Sequence, residues 1–443
     1  MNTQLATIIC ILFILYLFKI DMKNNIHFSK MMWIPYIWMI ISGSRYLSMW
    51  ISLEVPRFSA YENLEGSPLD RSVFLVLIVI GLIGIVRRRL NLIELFQKNS
   101  WMCWFLFFGL LSIFWSDYPI VSFKRWIKTI GVLIMALVIL TEEYPYLSLG
   151  AILRRIAYLL LPLSVLYIKF YPHLGKRYHM GLPMFSGVCN DKNALGQLCL
   201  LTGIYFCWNL FYSQSEGRNS ENHLHFSIYL IFFPMIVWLL FMANSATSHA
   251  CLLVSIVIML LGKVPAINKK PNRIITVLAA CITIYVTLDL FIDVYGTLIS
   301  MLGRRPDLTT RVPIWNDLLS MNEQPLIGYG WDIFFVDKRL ETIITNWSVR
   351  NAHNGYLETY LNLGLIGLFF LIGWIQLALR NISRFLDNNY PASLLRLCFL
   401  VVILFYNWTE SSFFGISNIF LLMIFSTITP PTKFAIIRPD SVP

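Results

Sequence analysis

The stretch N-A-H-N-G-Y-L-E, residues 351–358, places an imidazole, two amides and a carboxylate at the start of a long apolar run. An imidazole at a water-facing mouth can take or release a proton near neutral pH. On spacing alone, proton chemistry at His353 stands level with a plainer role, a helix cap or a bond to a loop carbonyl. Glu358 lies about one helical turn deeper, where a carboxylate is costly to hold without a partner. It either orients His353 or pairs with an arginine, and Asn354 is a candidate binding group beside them.

A second constellation is G-R-R-P-D-L-T-T-R-V-P-I-W-N-D-L-L-S-M, residues 303–321. Trp315, Leu318 and Leu319 recur at helical spacing after a Thr-Thr start, with Pro313 in the first turn, which predicts a short amphipathic helix. Arg311 would begin that helix, where backbone N–H groups also point outward, and a guanidinium there makes a cradle for a diphosphate. The alternative is an arginine paired with Asp307 or Asp317. Arg305 lies just upstream. P-L-I-G-Y-G-W, residues 325–331, reads as a plain turn without chemistry. Lys192 and Asn193, in F-S-G-V-C-N-D-K-N-A-L-G-Q, and Lys124 and Arg125, in F-W-S-D-Y-P-I-V-S-F-K-R-W, stand beside apolar runs, where a cation is either a snorkelling anchor or a ligand.

The elements that position these residues follow from composition. Of 443 residues, 57% are hydrophobic and 13% charged, which marks an integral membrane protein. Runs this long and numerous must be helices, because lipid offers no partners to backbone groups. The fold expectation is therefore all-α, a polytopic bundle of about 12–13 transmembrane helices, at residues 5–18, 31–50, 72–86, 101–115, 127–140, 152–168, 194–212, 226–243, 250–261, 274–291, 356–379, 394–407 and 414–428. The chain reads as one polytopic domain, 1–443, with a long extracytoplasmic loop at 292–352 that holds short helices.

Counting Lys and Arg near helix ends puts the N-terminus outside and Arg87 to Arg89, Arg154, Arg155, Lys263, Lys269, Lys270, Arg273, Arg380 and Arg384 inside. The formal charge of +11 is then mostly topological, and nucleic acid is not indicated as a partner. Lys124, Arg125, Lys128, Lys176, Arg177, Lys192, Arg304, Arg305 and Arg311 remain outside. Three outer loops carrying positive charge point to an anionic ligand there, or to anionic lipid headgroups. The eight cysteines form no C-x-x-C pair or zinc spacing, no phosphate loop is present, and no D-x-D pair offers the usual acidic clamp for a metal-bound nucleotide sugar.

Taken in order, W-S-x-x-P-x-x-S (115–122), K-N-x-L-G (192–196), Arg311 with Trp315, P-x-x-G-x-G (325–330) and H-N-x-Y-L-E with L-G-x-x-G (353–367) resemble the O-antigen ligase and polymerase family. The resemblance spans roughly residues 114–379. It implies glycosyl transfer, without a cofactor or metal, at the outer face of a bacterial inner membrane. The donor would be an undecaprenyl-diphosphate-linked oligosaccharide and the acceptor a glycan, lipid A-core or protein, with membrane lipid around the site and a chain-length regulator and a flippase as neighbours in the pathway. K-N-x-L-G is closer to exopolysaccharide polymerases, so polymerisation is the first expectation and ligation the second. On this reading His353 is the general base, Arg311 holds the diphosphate, and Arg305, Lys192, Asn193, Arg125, Asn354 and Glu358 bind substrate. A transporter or flippase would instead place charges at mid-membrane depth or repeat one half of the chain, and neither pattern is seen.

Overall fold

The computed structural model describes residues 2–24, 28–52, 67–179, 182–212, 222–292 and 311–435. Most of the described residues are helical, one short hairpin supplies the strands, and the apolar runs fall largely in helices. Seven helices are long and apolar enough to cross a membrane: Thr3–Lys23, Pro68–Arg87, Pro145–Phe170, Lys192–Tyr212, Ala246–Lys263, Gly355–Leu386 and Tyr390–Thr409. Ser100–Trp115, Ile228–Ala243 and Asn418–Thr427 are shorter apolar helices. The protein is a multi-pass membrane helical bundle. The run 31–50 differs from expectation, breaking into Trp33–Gly43 and Leu47–Ser52 around Ser44 and Arg45. The acidic residues Glu54, Glu62 and Glu65, and Arg304, Arg305 and Asp307, lie outside the described residues.

The chain forms two compact units. The first comprises Met1–Lys98, Lys128–Ile256 and Ile416–Pro443. Its axis is the Pro145–Phe170 helix, buried over 83% of its most apolar stretch and packed by Thr3–Asn24, Lys192–Tyr212 and Asn222–Ala243. Arg154 and Arg155, expected at the cytoplasmic end of the 152–168 span, sit inside this helix and are buried. Buried cations need a counter-ion, and Asp21 supplies it, 2.6 Å from Arg155 and 3.4 Å from Arg154, whose Nη1 also donates to the Tyr205 hydroxyl at 2.6 Å. After the axis helix comes an antiparallel hairpin, Lys176–His179 against Leu182–Phe185, with Arg177 opposite Met184.

The second unit comprises Asn99–Ile127 and Val257–Gly415. The Gly355–Leu386 helix packs on Ser100–Leu111 and on Tyr390–Thr409. Gly373 lies against Trp101, as a packing glycine should, but Gly364 does something else. Its φ of 64° and ψ of −164° break the helix, in a region of backbone space that essentially glycine alone occupies. A break at that depth frees polar groups that lipid cannot satisfy. The 325–331 segment satisfies them: Leu365 N and Ile366 N donate to the carbonyls of Pro325 (2.9 Å) and Leu326 (3.2 Å), while Tyr329 N and Gly330 N donate to those of Leu361 (3.3 Å) and Asn362 (2.9 Å). Gly328, at φ 65°, passes so close that a Cβ would sit 2.4 Å from the Asn362 carbonyl. What reads as a plain turn is thus the missing wall of a broken helix.

The expected amphipathic helix is present as Arg311–Ser320, followed by Asp337–Trp347. Ile314, Leu318, Tyr329, Phe334, Ile343, Ala352 and Leu361 form one apolar cluster beneath them. The long segment is therefore anchored on its own core.

Candidate functional site

His353 ends the segment that leads into the Gly355–Leu386 helix. Its φ is 48°, a left-handed conformation that costs an L-residue about 1–2 kcal/mol, so the surroundings must hold it. They do so from both sides. Ala352 N donates to Glu358 Oε1 at 3.1 Å, and Ala352 O accepts from Trp315 Nε1 at 2.8 Å. Asn354 N donates to Ser411 Oγ at 3.1 Å, and Gly355 N to the Glu410 carbonyl at 3.2 Å. Asn354 caps the helix, its Oδ1 accepting from Tyr356 N and Leu357 N, both at 3.0 Å.

The side chains then converge on a carboxylate that the sequence reading passed over. Glu410 Oε2 accepts from His353 Nδ1 at 3.1 Å, and Glu410 Oε1 from Arg311 Nη2 at 3.3 Å. All three side chains are partly buried, with exposures of 26% for His353, 17% for Arg311 and 12% for Glu410. A carboxylate only accepts, so in the neutral imidazole Nδ1 carries the proton and Nε2 the lone pair. Nε2 makes no hydrogen bond among the described residues. Arg311 uses one N–H on Glu410, and a guanidinium has five. The arrangement can accept a proton at Nε2 and hold an oxyanion at Arg311.

The family comparison bears on this same segment. Residues 230–372 match a family model described as O-antigen ligase. This stretch is thus similar to the O-antigen ligase and polymerase family. No curated protein matches the chain. The matched stretch contains Arg311, His353, Asn354 and Glu358, whereas Glu410, Arg125 and Lys192 lie outside it.

Other expected site residues are placed differently. Asp317, the alternative partner of Arg311, accepts from Trp347 Nε1 at 2.7 Å, and Asp307 lies outside the described residues, as does Arg305. Glu358, buried at 7% exposure, holds the Ala352 amide and a hydrogen bond from Ser411, while Glu410 takes the position beside His353 and Arg311. Arg125 donates to the Asp332 carbonyl and lies 3.9 Å from its carboxylate, pinning the 331–337 turn. Lys192 and Asn193 begin the Lys192–Tyr212 helix in the first unit. The signal for Glu410 was available: N-W-T-E-S-S sets an acid and three hydroxyls at the end of the 394–407 run. It had no spacing relation to His353, because the two meet only through tertiary packing.

Proposed function

We propose that this O-antigen ligase family protein transfers a saccharide from a lipid-linked diphosphate donor to a sugar hydroxyl at the outer face of the bacterial inner membrane, using His353 as base and Arg311 as diphosphate clamp. The observation that carries the reading is the carboxylate of Glu410 shared between the two. It fixes the imidazole with Nε2 outward and holds the guanidinium beside it, so proton acceptance and oxyanion stabilisation meet at one place. Nε2 takes the acceptor hydroxyl's proton as that oxygen attacks the anomeric carbon. The bond from that carbon to the diphosphate oxygen breaks, and the leaving group departs with the electron pair, its charge met by Arg311.

Polymerisation of repeat units is the first assignment, carried by K-N-x-L-G at 192–196. Ligation to lipid A-core is the second, favoured by the description of the matching family. The test is His353→Ala in membranes supplied with lipid-linked donor. Glycan product should fall by on the order of 100-fold or more at equal protein level, and unchanged product would return His353 to a structural role. Offering either a second lipid-linked repeat unit or lipid A-core as acceptor separates the two assignments.

A further inference from the structure

Three cations expected on the inner side, Lys269, Lys270 and Arg273, line one open cleft of about 390 Å³ in the second unit, together with Asn272, Thr276 and Asp387. The cleft lies where apolar helices end. Ala246–Lys263 stops before it, Arg273–Ile292 starts in its wall, Gly355–Leu386 stops one residue short of Asp387, and Tyr390–Thr409 begins just after. It is therefore at the membrane boundary, and at the opposite end of the Gly355–Leu386 helix from His353. Its walls are fixed. The Tyr390 hydroxyl donates to the Gly262 carbonyl at 2.6 Å, and Ile267 is buried beneath the loop. Asn272 bridges to the facing helix end, its Nδ2 donating to Asp387 Oδ2 at 3.0 Å and its Oδ1 accepting from Ser383 Oγ at 2.7 Å. Arg273 Nη1 donates to the Ala266 carbonyl at 3.1 Å, and its other side-chain N–H groups make no hydrogen bond among the described residues. Lys269 and Lys270 are exposed, and neither ammonium has a hydrogen-bond or ion-pair partner among the described residues.

The positive-inside bias is met by lysines and arginines anywhere near the helix ends. It does not ask three of them to share one cleft, against a single carboxylate that an amide already engages. Like charges along a cleft focus the field into it and draw in an anion. At this depth the abundant anion is a lipid phosphate. We propose that the cleft binds a phosphate, that of an anionic lipid headgroup in the leaflet it faces. The loop supplies two point charges, Lys269 and Lys270, while Arg273 brings directed N–H groups from the start of its helix and Thr276 adds a hydroxyl donor. The site stands apart from the glycosyl-transfer reading and uses none of its residues.

The test titrates phosphatidylglycerol into the full chain in detergent and counts retained lipid by native mass spectrometry. Lys269→Gln with Lys270→Gln removes no side-chain hydrogen bond or ion pair among the described residues, so the yield of folded protein should hold. The tightest phosphatidylglycerol site should weaken by roughly tenfold or more. The control is Arg87→Gln with Arg89→Gln, which removes the same charge from exposed positions in the first unit and should leave that site as in wild type. Equal weakening by both pairs would overturn the proposal, because the lipid would then answer to net charge alone. Weakening by neither would overturn it too. Glycerol 3-phosphate names the source: binding of this water-soluble ester with the same dependence on Lys269 and Lys270 would move the site to a free phosphate and sink the lipid assignment, whereas no binding upholds it.

Discussion

Replacing Glu410 by Gln keeps the side chain's volume and removes its charge. Glu410 accepts from Arg311 at 3.3 Å and from His353 at 3.1 Å, both longer than the roughly 2.7–2.9 Å of a tight charge-assisted bond. At 12% exposure each bond is taken at the low end, about 1.5 kcal/mol, and together they come to about 3 kcal/mol. Expressed fully in the transition state, that is roughly 150-fold in kcat/KM. A carboxamide can also donate to Nδ1, which moves the imidazole proton to Nε2 and removes the base. The His353 share should therefore appear in kcat and the Arg311 share in KM. Glu410→Asp keeps the charge and should recover part of both, an outcome that a purely structural role would not produce. The assay is initial-rate consumption of lipid-linked donor in membranes, normalised to protein amount. A well-expressed Glu410→Gln protein whose kcat/KM stays within about threefold of wild type would refute the shared-carboxylate account.

Three further outcomes are expected. Arg311→Lys should lose nearly as much activity as Arg311→Ala, because a lysine offers a point charge where two parallel N–H bonds are needed; donor turnover in membranes decides it. Gly364→Ala should destabilise the protein by about 1–3 kcal/mol through backbone strain, with more from a Cβ placed 2.2 Å from the Leu326 carbonyl oxygen, and thermal unfolding in detergent measures it. A reporter fused near Asn322 should be active on the extracytoplasmic side, and a cytoplasmic signal there would end the glycosyl-transfer reading as stated.

The helices were legible because lipid leaves the backbone one solution and the apolar runs are long. The Arg311 helix was legible too, since Pro313, Trp315 and Leu318 carry its start and its period. Partnerships were not. Glu410 lies 57 positions from His353 and 99 from Arg311, and Arg45 reaches carbonyls 129 and 142 positions away. No local pattern encodes such pairs. The Gly364 break was hidden for a different reason, because L-N-L-G-L-I-G is apolar enough to read as uninterrupted helix. Only the proximity of 325–331 makes a break there affordable in energy.

That break also governs how the molecule can be recombined. Since the 325–331 turn and the 361–366 stretch share four backbone hydrogen bonds, neither is a cassette. Grafting the outer segment from a relative with different sugar preference would leave a foreign turn facing a native gap. A chimaera intended to transplant specificity must exchange 325–366 as one block, and junctions inside that interval should yield misfolded protein whatever sugar the donor sequence recognises.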